Sequence, residues 1–261
     1  RMTSSTLVEV NQSADVRVIL EITPHVATIT LNSPETRNAL SSELVGELLH
    51  AIDRAGESDS RVIVLTHVPP VFCSGLDLKQ LGSGPIDLSG LANVILALRR
   101  VRQPTIAVLT GAARAGGLGI MAACDLVVVA PTVSFAFTEV KLGAVPAAIS
   151  VPVLARVAWS SVAAAFITGE EFDAARALSI GLVSHVSDDP HETAEGLVTS
   201  ICAAGPEAVA TTIQLLRRAA NDAYEMKLDE MRQLSEHMFA SAEAQEGIAA
   251  FLEKRPPSWR L

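Results

Sequence analysis

Three short segments that are apolar almost throughout constrain the fold of this chain more than any other feature. They read RVIVLT at 61–66, TIAVL at 105–109 and DLVVVA at 125–130, and stretches with helical character at about 86–102 and 116–123 separate them. A strand that is apolar on both faces is typical of a parallel sheet covered on both sides. Strands that alternate with helices in this way predict βαβ units, so we expect an α/β fold.

The two ends of the chain differ from this middle part. Residues 16–22 and 25–31 predict a pair of strands joined by a tight turn, and Ser41 and Ser42 can cap the helix that follows. Beyond about residue 155 the periodicity becomes helical. The predicted helices there span 160–168, 173–180, 191–204, 206–221 and 224–252, the last interrupted near Ser241, with one short strand at 183–187. The sequence therefore predicts an α/β part first and a helical part last.

Composition and charge limit the kind of partner. Of the 261 residues, 49% are hydrophobic, which is enough for one large domain with a sizeable core. The formal net charge of −9 argues against nucleic acid or an anionic membrane as a partner, and we expect neither. An anionic small molecule would need a local cluster of lysine and arginine side chains.

Three cysteines indicate the compartment. Cys73, Cys124 and Cys202 are far apart and lie in apolar contexts, so we interpret them as buried thiols in a reducing cytosol and not as disulfide partners. None stands beside a second cysteine or a histidine at metal-ligand spacing. No apolar segment typical of a secretory signal occurs near the N-terminus. We expect a cytoplasmic protein without a metal site.

A glycine-rich segment, GAARAGGLGIMAACD at 111–125, is the strongest indication of chemistry. Gly116, Gly117 and Gly119 follow a predicted strand and open a predicted helix, where unpaired N–H groups and the helix dipole favour developing negative charge. The segment therefore has the character of half an oxyanion hole. A dinucleotide-binding loop is a weaker interpretation, because the spacing is not G-x-G-x-x-G and no acid closes the following strand. A turn that only packs the helix is a third.

Two further segments carry candidate groups. In VFCSGLDL at 71–78, Gly75 permits a close approach of the backbone, which would leave the N–H of Leu76 free to point into a cleft; an ordinary loop is the alternative. In SFAFTEVKLG at 134–143, apolar neighbours flank Glu139. A carboxylate in apolar surroundings has a raised proton affinity and can act as a general base or acid. A surface glutamate at a helix start is the alternative.

Together, these three segments resemble the crotonase superfamily, which is the enoyl-CoA hydratase/isomerase family. They occur in the order and spacing of that family. Three further segments of this chain also resemble segments of the family: RNALS at 37–41, ITGEEFDAARALSIGLVSHV at 167–186 and FLEKRPP at 251–257. The resemblance spans about residues 16–257. It implies an α/β fold with a crotonase-like ββα spiral core over 1–200 and a helical trimerisation region over 201–261. It also implies an acyl-CoA substrate, a homotrimer or hexamer, and no cofactor other than the coenzyme A of the substrate.

The resemblance implies roles for individual residues as well. Proteins of this family stabilise an enolate by holding the thioester oxygen with two backbone N–H groups, which match those of Leu76 and Gly116. Hydratases of the family use two glutamates. The second of them matches Glu139. The first matches Gly119, which has no side chain. The positions matched to substrate binding are Arg37, Ala39, Ser74, Gly75, Asp77, Leu78, Gly117, Gly119, Phe251 and Lys254. Arg37 and Lys79 are the candidates for the CoA phosphates.

The glycine at position 119 leaves the exact reaction open. Loss of one general acid–base group typically lowers a rate by about 10²–10⁴, and one glutamate suits movement of a double bond better than addition of water. We predict enoyl-CoA hydratase activity, with a single-glutamate enoyl-CoA isomerase or a catalytically silent acyl-CoA-binding protein as alternatives. The P-G-x-G-G of many hydratases reads PAAIS at 146–150 here, so Ile149 should fill part of the acyl pocket. Arg114 either meets a carboxylate on the acyl chain or is a surface arginine beside the helix.

Overall fold

The computed structural model describes residues 16–79, 87–220 and 223–259. The strands are β1 (Val18–Ile22), β2 (Val26–Leu31), β3 (Val62–His67), β4 (Val71–Cys73), β5 (Thr105–Leu109), β6 (Ala112–Arg114), β7 (Leu126–Val129), β8 (Ser134–Ala136), β9 (Phe172–Asp173) and β10 (His185–Val186). The helices are α1 (Ser42–Glu57), α2 (Ser89–Arg100), α3 (Gly116–Ala123), α4 (Ala147–Leu154), α5 (Trp159–Thr168), α6 (Ala174–Ser179), α7 (Pro190–Ala203), α8 (Pro206–Ala220), α9 (Tyr224–Phe239) and α10 (Ala242–Leu252). Short 3₁₀ turns occur at Pro34–Thr36 and Thr138–Leu142.

A six-stranded sheet forms the centre of the molecule, in the order β1-β2-β3-β5-β7-β10. β1 is antiparallel to β2, and all other neighbours in this sheet are parallel. Every residue of β3 is buried, as expected for a strand with an apolar residue on both faces. The predicted βαβ arrangement is therefore confirmed.

A second, four-stranded sheet has the order β4-β6-β8-β9 and was not predicted. Its strands have only two or three residues each, too few for an alternation of polar and apolar residues to be visible. β4, β6 and β8 run parallel, so their carboxyl ends meet at the same edge of the sheet. Leu76, Gly116 and Glu139 each follow one of these strands within three residues. The small sheet therefore brings the three candidate groups together.

Most helices agree closely with the predicted segments, but α4 (Ala147–Leu154) was not predicted. α3 begins and ends as predicted, and all eight of its residues are buried, which explains why it is apolar on every side. The predicted break in the last helix is confirmed at Ser241, whose Oγ accepts the N–H of Ala244 and caps α10. α2 is shorter than predicted, since it ends at Arg100.

A buried ion pair attaches the helical part to the central sheet. Arg217 of α8 donates to both carboxylate oxygens of Asp125, at 2.9 and 2.6 Å, and the two side chains are 8% and 9% exposed. The N–H and the hydroxyl of Thr105 donate to the same carboxylate at 2.8 and 2.9 Å. Asp125 thus has its hydrogen bonds satisfied within the fold, as a buried carboxylate requires.

The cysteines lie in two kinds of environment. Cys73 and Cys124 are buried as free thiols, and burial raises the pKa of each to about 12. Cys202, on α7, is only partly buried, so the prediction of three buried thiols is wrong at this position. α7 covers the outer face of the sheet and leaves this side chain near its edge, where Sγ approaches the carbonyl oxygen of His25 at 3.9 Å.

We expect one thiol per chain to react with an aromatic disulfide reagent in the native protein, and three after unfolding in denaturant. The thiolate is the reactive form, and burial suppresses it at Cys73 and Cys124. Absorbance of the released thiol would count the reacting groups. Cys202→Ser is the control and should abolish the native reaction. Any fast-reacting thiol in that variant would contradict the burial of Cys73 and Cys124.

Among the described residues, no single helix is long and apolar enough to cross a membrane. Judged by length and composition alone, α7 and α8 would pass the same test together, but the pair is bent by 114°.

Candidate active site

A cavity of about 330 Å³ lies at the edge of the small sheet where β4, β6 and β8 end. Leu76, Gly116 and Glu139 all line it. Its walls are mostly apolar, and the apolar side chains come from separate parts of the chain. They include Leu88 and Leu91 of α2, Val145 and Ile149 around the start of α4, and Phe239 of α9. The cavity therefore combines a few polar groups with a largely water-excluding surface, as small-molecule sites usually do.

Two residues that line this cavity, Leu76 and Gly116, have a backbone N–H without a partner among the described residues. Leu40 donates its N–H to Gly75 O, and its carbonyl oxygen accepts the N–H of Asp77. These two hydrogen bonds use the residues on either side of Leu76 and do not involve the N–H of Leu76. Gly116 is the first residue of α3, where no intrahelical acceptor exists. Within residues 16–79, 87–220 and 223–259, neither N–H donates a hydrogen bond.

The two amides lie on turns that touch each other. Gly75 has a φ of +92°, and a Cβ placed on it would lie 2.9 Å from the Cβ of Ala115 and 3.6 Å from the nitrogen of Gly116. Only glycine fits this conformation and this approach. Ala115 itself has a φ of +45°, a rare conformation for a residue with a side chain, and such strain is concentrated at functional sites. The local backbone is thus arranged around the two unpaired N–H groups.

Glu139 is the acidic side chain that lines the cavity. It is 6% exposed, and its Oε2 has no hydrogen-bond partner among the described residues. Burial disfavours the charged carboxylate and raises the pKa of Glu139 to about 7. The apolar flanks of this residue predicted a raised proton affinity. A carboxyl group that titrates near neutral pH is suited to accept and return a proton.

Gly119, one turn into α3, faces the side chain of Ile149. A Cβ placed on Gly119 would lie 2.7 Å from Cγ2 of Ile149 and 3.1 Å from its Cβ. Real Cβ atoms essentially never approach so closely, so the space for a side chain at position 119 is occupied. Ile149 and Ala148 line the cavity, as the exchange of glycines for larger residues in this segment predicted.

Among the described residues, three cations line the same cavity, although the chain as a whole is acidic. They are Arg37, Arg114 and Lys141. Arg37 is exposed and Lys141 is exposed, whereas Arg114 is 21% exposed and donates to Ser134 O at 2.6 Å and to Ser134 Oγ at 2.9 Å. Arg114 also forms an ion pair with Glu171. It is therefore an anchored side chain of the cavity wall.

The residues proposed from the sequence divide into two groups. Those that line the cavity are Arg37, Ser74, Leu76, Leu78, Gly116, Glu139 and Phe251. Those that do not are Ala39, Gly75, Asp77, Lys79, Gly117, Gly119 and Lys254. Gly75, Gly117 and Gly119 instead allow close packing beneath the lining, Gly117 against Cys73 and the other two as described above.

The histidine at the end of β3 does not belong to the cavity. His67 is buried and is not among the residues that line it. Its Nε2 accepts the N–H of Thr110 at 3.1 Å, and its Nδ1 lies 3.1 Å from Val68 O. Burial lowers the pKa of His67. Both ring nitrogens are occupied, so this histidine has a structural role.

Known proteins resemble this chain over nearly its whole length. A family model described as enoyl-CoA hydratase/isomerase matches residues 21–261. A Mycobacterium tuberculosis protein named enoyl-CoA hydratase EchA19 is 31% identical over 258 residues, which cover 93% of this chain and 96% of that protein. The crystal structure of an enoyl-CoA hydratase from Mycobacterium avium has a TM-score of 0.85 at 35% identity, covering 94% of this chain and 100% of that one. A methylmalonyl-CoA decarboxylase in complex with 2-nitronate-propionyl-CoA has a TM-score of 0.82 at 27% identity, covering 95% and 99%. These likenesses confirm the predicted α/β fold with a crotonase-like core.

Proposed function

This chain belongs to the enoyl-CoA hydratase/isomerase family, and we propose that it binds an enoyl-CoA thioester and stabilises the enolate formed from it. The observation that carries the proposal is the pair of unpaired N–H groups of Leu76 and Gly116, on touching turns in one cavity. Both would donate to the thioester oxygen. Donors preorganised in this way can each stabilise a developing oxyanion by roughly 3–4 kcal/mol.

Glu139 is the group that moves the proton. Its carboxyl group is buried in the same cavity as the two amides, and its pKa of about 7 allows both protonation states at neutral pH. In hydration of a 2-enoyl thioester, the carboxylate of Glu139 accepts a proton from the water whose oxygen adds to the β-carbon. Glu139 then returns that proton to the α-carbon of the enolate, so the thioester gains one water in total. Hydratase is the activity that we propose, because the relatives that cover nearly the whole chain carry that name.

A second candidate is movement of the double bond between the 3-enoyl and 2-enoyl positions. Ile149 occupies the space that a side chain at position 119 would need, so no second carboxyl group stands there to orient a water. One base can remove a proton from one carbon and return it to another, and this needs no water. The apolar wall at Gly119 is the observation that favours this reaction.

Two measurements on the purified protein test the function. Calorimetry with butyryl-CoA reports thioester binding without turnover. Assays with crotonyl-CoA and with 3-hexenoyl-CoA report water addition and double-bond movement separately. Turnover of crotonyl-CoA supports the hydratase, and turnover of 3-hexenoyl-CoA alone supports the isomerase. Binding with no turnover of either would identify a silent acyl-CoA-binding protein, and absence of binding would refute the proposal.

The rate should depend on pH through Glu139. We expect kcat/KM to rise with pH along a limb centred near pH 7, because only the carboxylate accepts a proton and burial raises its pKa to about 7. An ordinary glutamate, with a pKa of about 4.3, would give a flat profile in this range. The measurement is the initial rate at low substrate concentration from about pH 5.5 to 9 at constant ionic strength. A flat profile would contradict the role of Glu139 as the base.

The cations of the cavity are suited to the phosphates of coenzyme A. Replacing Arg37 with methionine is expected to weaken butyryl-CoA binding about fivefold, the effect of losing one partly exposed charge contact. Arg102→Met is the matched control, because Arg102 is exposed and does not line the cavity, and we expect its affinity to change less than about twofold. Calorimetry at low salt measures both. Equal affinities of the two variants would remove Arg37 from the phosphate site.

We also propose that the chain forms a homotrimer or hexamer through its helical region at 201–261, and that it resides in the cytoplasm. Large apolar side chains are exposed on that region, including Leu215, Leu216 and Met226, and burial in an interface would remove them from water. The three free cysteines suit a reducing compartment. Light scattering coupled to size-exclusion chromatography would give the mass, and a monomer would refute the assembly.

A further inference from the structure

Two helices that border the cavity begin without a capping side chain of their own. α2 follows Leu88 and α4 follows Pro146, and neither of these side chains can accept a hydrogen bond. The first N–H groups of a helix have no intrahelical acceptor and need a partner from elsewhere. Both helix starts lie at the cavity, where water is largely excluded by apolar walls. At α2, Asp87 Oδ1 accepts the N–H of Ser89 at 2.8 Å. The N–H of Leu88 and the N–H of Ala148 are left for acceptors from another part of the chain.

Adjacent residues of α9 supply both partners. Ser235 Oγ accepts the N–H of Ala148 at 3.0 Å, which is what an N-cap serine does for the second residue of its own helix. Glu236 Oε1 accepts the N–H of Leu88 at 2.8 Å, as the glutamate of a capping box does for the N-cap residue. Ser235 and Glu236 thus act as the two parts of a capping box, but each part serves a different helix.

Both side chains are held in place. Ser235 is 2% exposed, and its hydroxyl lies 3.4 Å from Val145 O, to which it donates. Arg232, one turn earlier on α9, donates through Nη1 to both carboxylate oxygens of Glu236 at 2.7 Å. The acceptors for the two helix starts are therefore preorganised on α9.

The two capped helices carry separate parts of the cavity wall. Leu88 and Leu91 line it from the side of α2, and Ala148 and Ile149 line it from the side of α4. α9 lies against both, and its Phe239 lines the cavity and is 4% exposed. The two hydrogen bonds to α9 therefore hold both of these parts of the wall against the same helix.

We propose that Ser235 and Glu236 are positioning residues that set the width of the acyl pocket, so that the site selects short, apolar acyl chains. The inference rests on the proposed function, because it takes the acyl group of a CoA thioester to lie between α2 and α4. Phe239 of α9 lines the same cavity, and the cavity volume of about 330 Å³ limits the length of the chain. Neither Ser235 nor Glu236 transfers a proton. Glu236 acts through the helix that it holds, and Ser235, which also lines the cavity, holds the start of α4.

The test compares the binding of a short and a long saturated thioester, so it needs no turnover. Calorimetry gives the affinities for butyryl-CoA and dodecanoyl-CoA, and their ratio is the readout. Ser235→Ala and Glu236→Ala each remove one acceptor, and we expect each to shift the ratio at least about fivefold toward the long chain. Glu236→Gln retains an oxygen that can accept the N–H of Leu88 and should restore the ratio of the unaltered protein. Glu230→Gln, an exposed residue of the same helix, is the matched control and should leave it unchanged.

Amide hydrogen exchange provides a second readout. Exchange at the start of α4 should accelerate in Ser235→Ala, and exchange at the start of α2 should accelerate in Glu236→Ala. If Ser235→Ala does not fold, Glu236→Ala carries the test alone, because its side chain is 22% exposed and its loss disturbs the core less.

The possible failures are distinguishable. An unchanged chain-length ratio in the folded alanine variants would overturn this inference alone, as would an equal shift in Glu230→Gln. Failure of the unaltered protein to bind either thioester would overturn the proposed function, and this inference with it.

Discussion

Replacing Glu139 with glutamine is expected to lower turnover at least about a hundredfold while leaving thioester affinity little changed. Glutamine has nearly the same shape as glutamate and still fills the buried space, but it cannot accept a proton at neutral pH. The two amides that hold the thioester oxygen are untouched by the substitution, so binding should persist. Steady-state rates with crotonyl-CoA and 3-hexenoyl-CoA, together with calorimetry with butyryl-CoA, measure the two effects separately.

The same variant should be more stable than the unaltered protein above neutral pH. A buried carboxyl group whose pKa is raised from 4.5 to about 7 binds its proton more tightly in the folded state. Its contribution to stability is therefore present below about pH 4.5 and is lost as the pH rises through 7, by about 3 kcal/mol in total. Glutamine does not titrate, so the difference in melting temperature between the two proteins should grow with pH.

Glu170→Gln is the control for both effects, since Glu170 is exposed. We expect it to match the unaltered protein in rate and in the pH dependence of stability. Turnover that survives in Glu139→Gln would remove this residue from the mechanism. A rate that falls together with the melting temperature at pH 8 would indicate damage to the fold instead.

The chemical groups of the site could be predicted because their signatures are local. Gly75 and the glycines at the start of α3 mark places where the backbone approaches closely, and the apolar flanks of Glu139 mark a buried carboxyl group. Each signature lies within about ten residues of chain, so one sequence is enough to read it. The apolar strands of the central sheet also have a local signature in the sequence, and their predicted first and last residues lie close to the observed ones.

The rest depends on contacts between distant residues. Ser235 and Glu236 look like ordinary polar residues of a helix, and their partners lie 87 and 148 residues away along the chain. The small sheet has strands too short to show a pattern, although it is what brings the candidate groups to one edge. Tertiary structure decides these features, and propensity over a short window does not contain them.

Introducing a glutamate at position 119 tests whether water addition in this cavity is limited by the absence of a second carboxyl group. Gly119→Glu alone should destabilise the fold by about 1–3 kcal/mol, the usual cost of overpacking a core, because its Cβ would lie 2.7 Å from Cγ2 of Ile149. Combining it with Ile149→Gly removes that obstacle. We expect the double variant Gly119→Glu/Ile149→Gly to hydrate crotonyl-CoA at least about a hundredfold faster than its matched control, Gly119→Gln/Ile149→Gly.

The control makes the comparison specific to the carboxyl group. Both double variants lose the isoleucine side chain and gain a side chain of the same shape at position 119, so changes in cavity volume and in helix stability cancel between them. What differs is the ability to exchange a proton and to orient a water beside Glu139. Double-bond movement in 3-hexenoyl-CoA needs only one base and should be the same in both. Equal hydration rates would mean that a side chain at position 119 does not reach the attacking water, and Ile149 would then be a packing residue with no bearing on the choice of reaction.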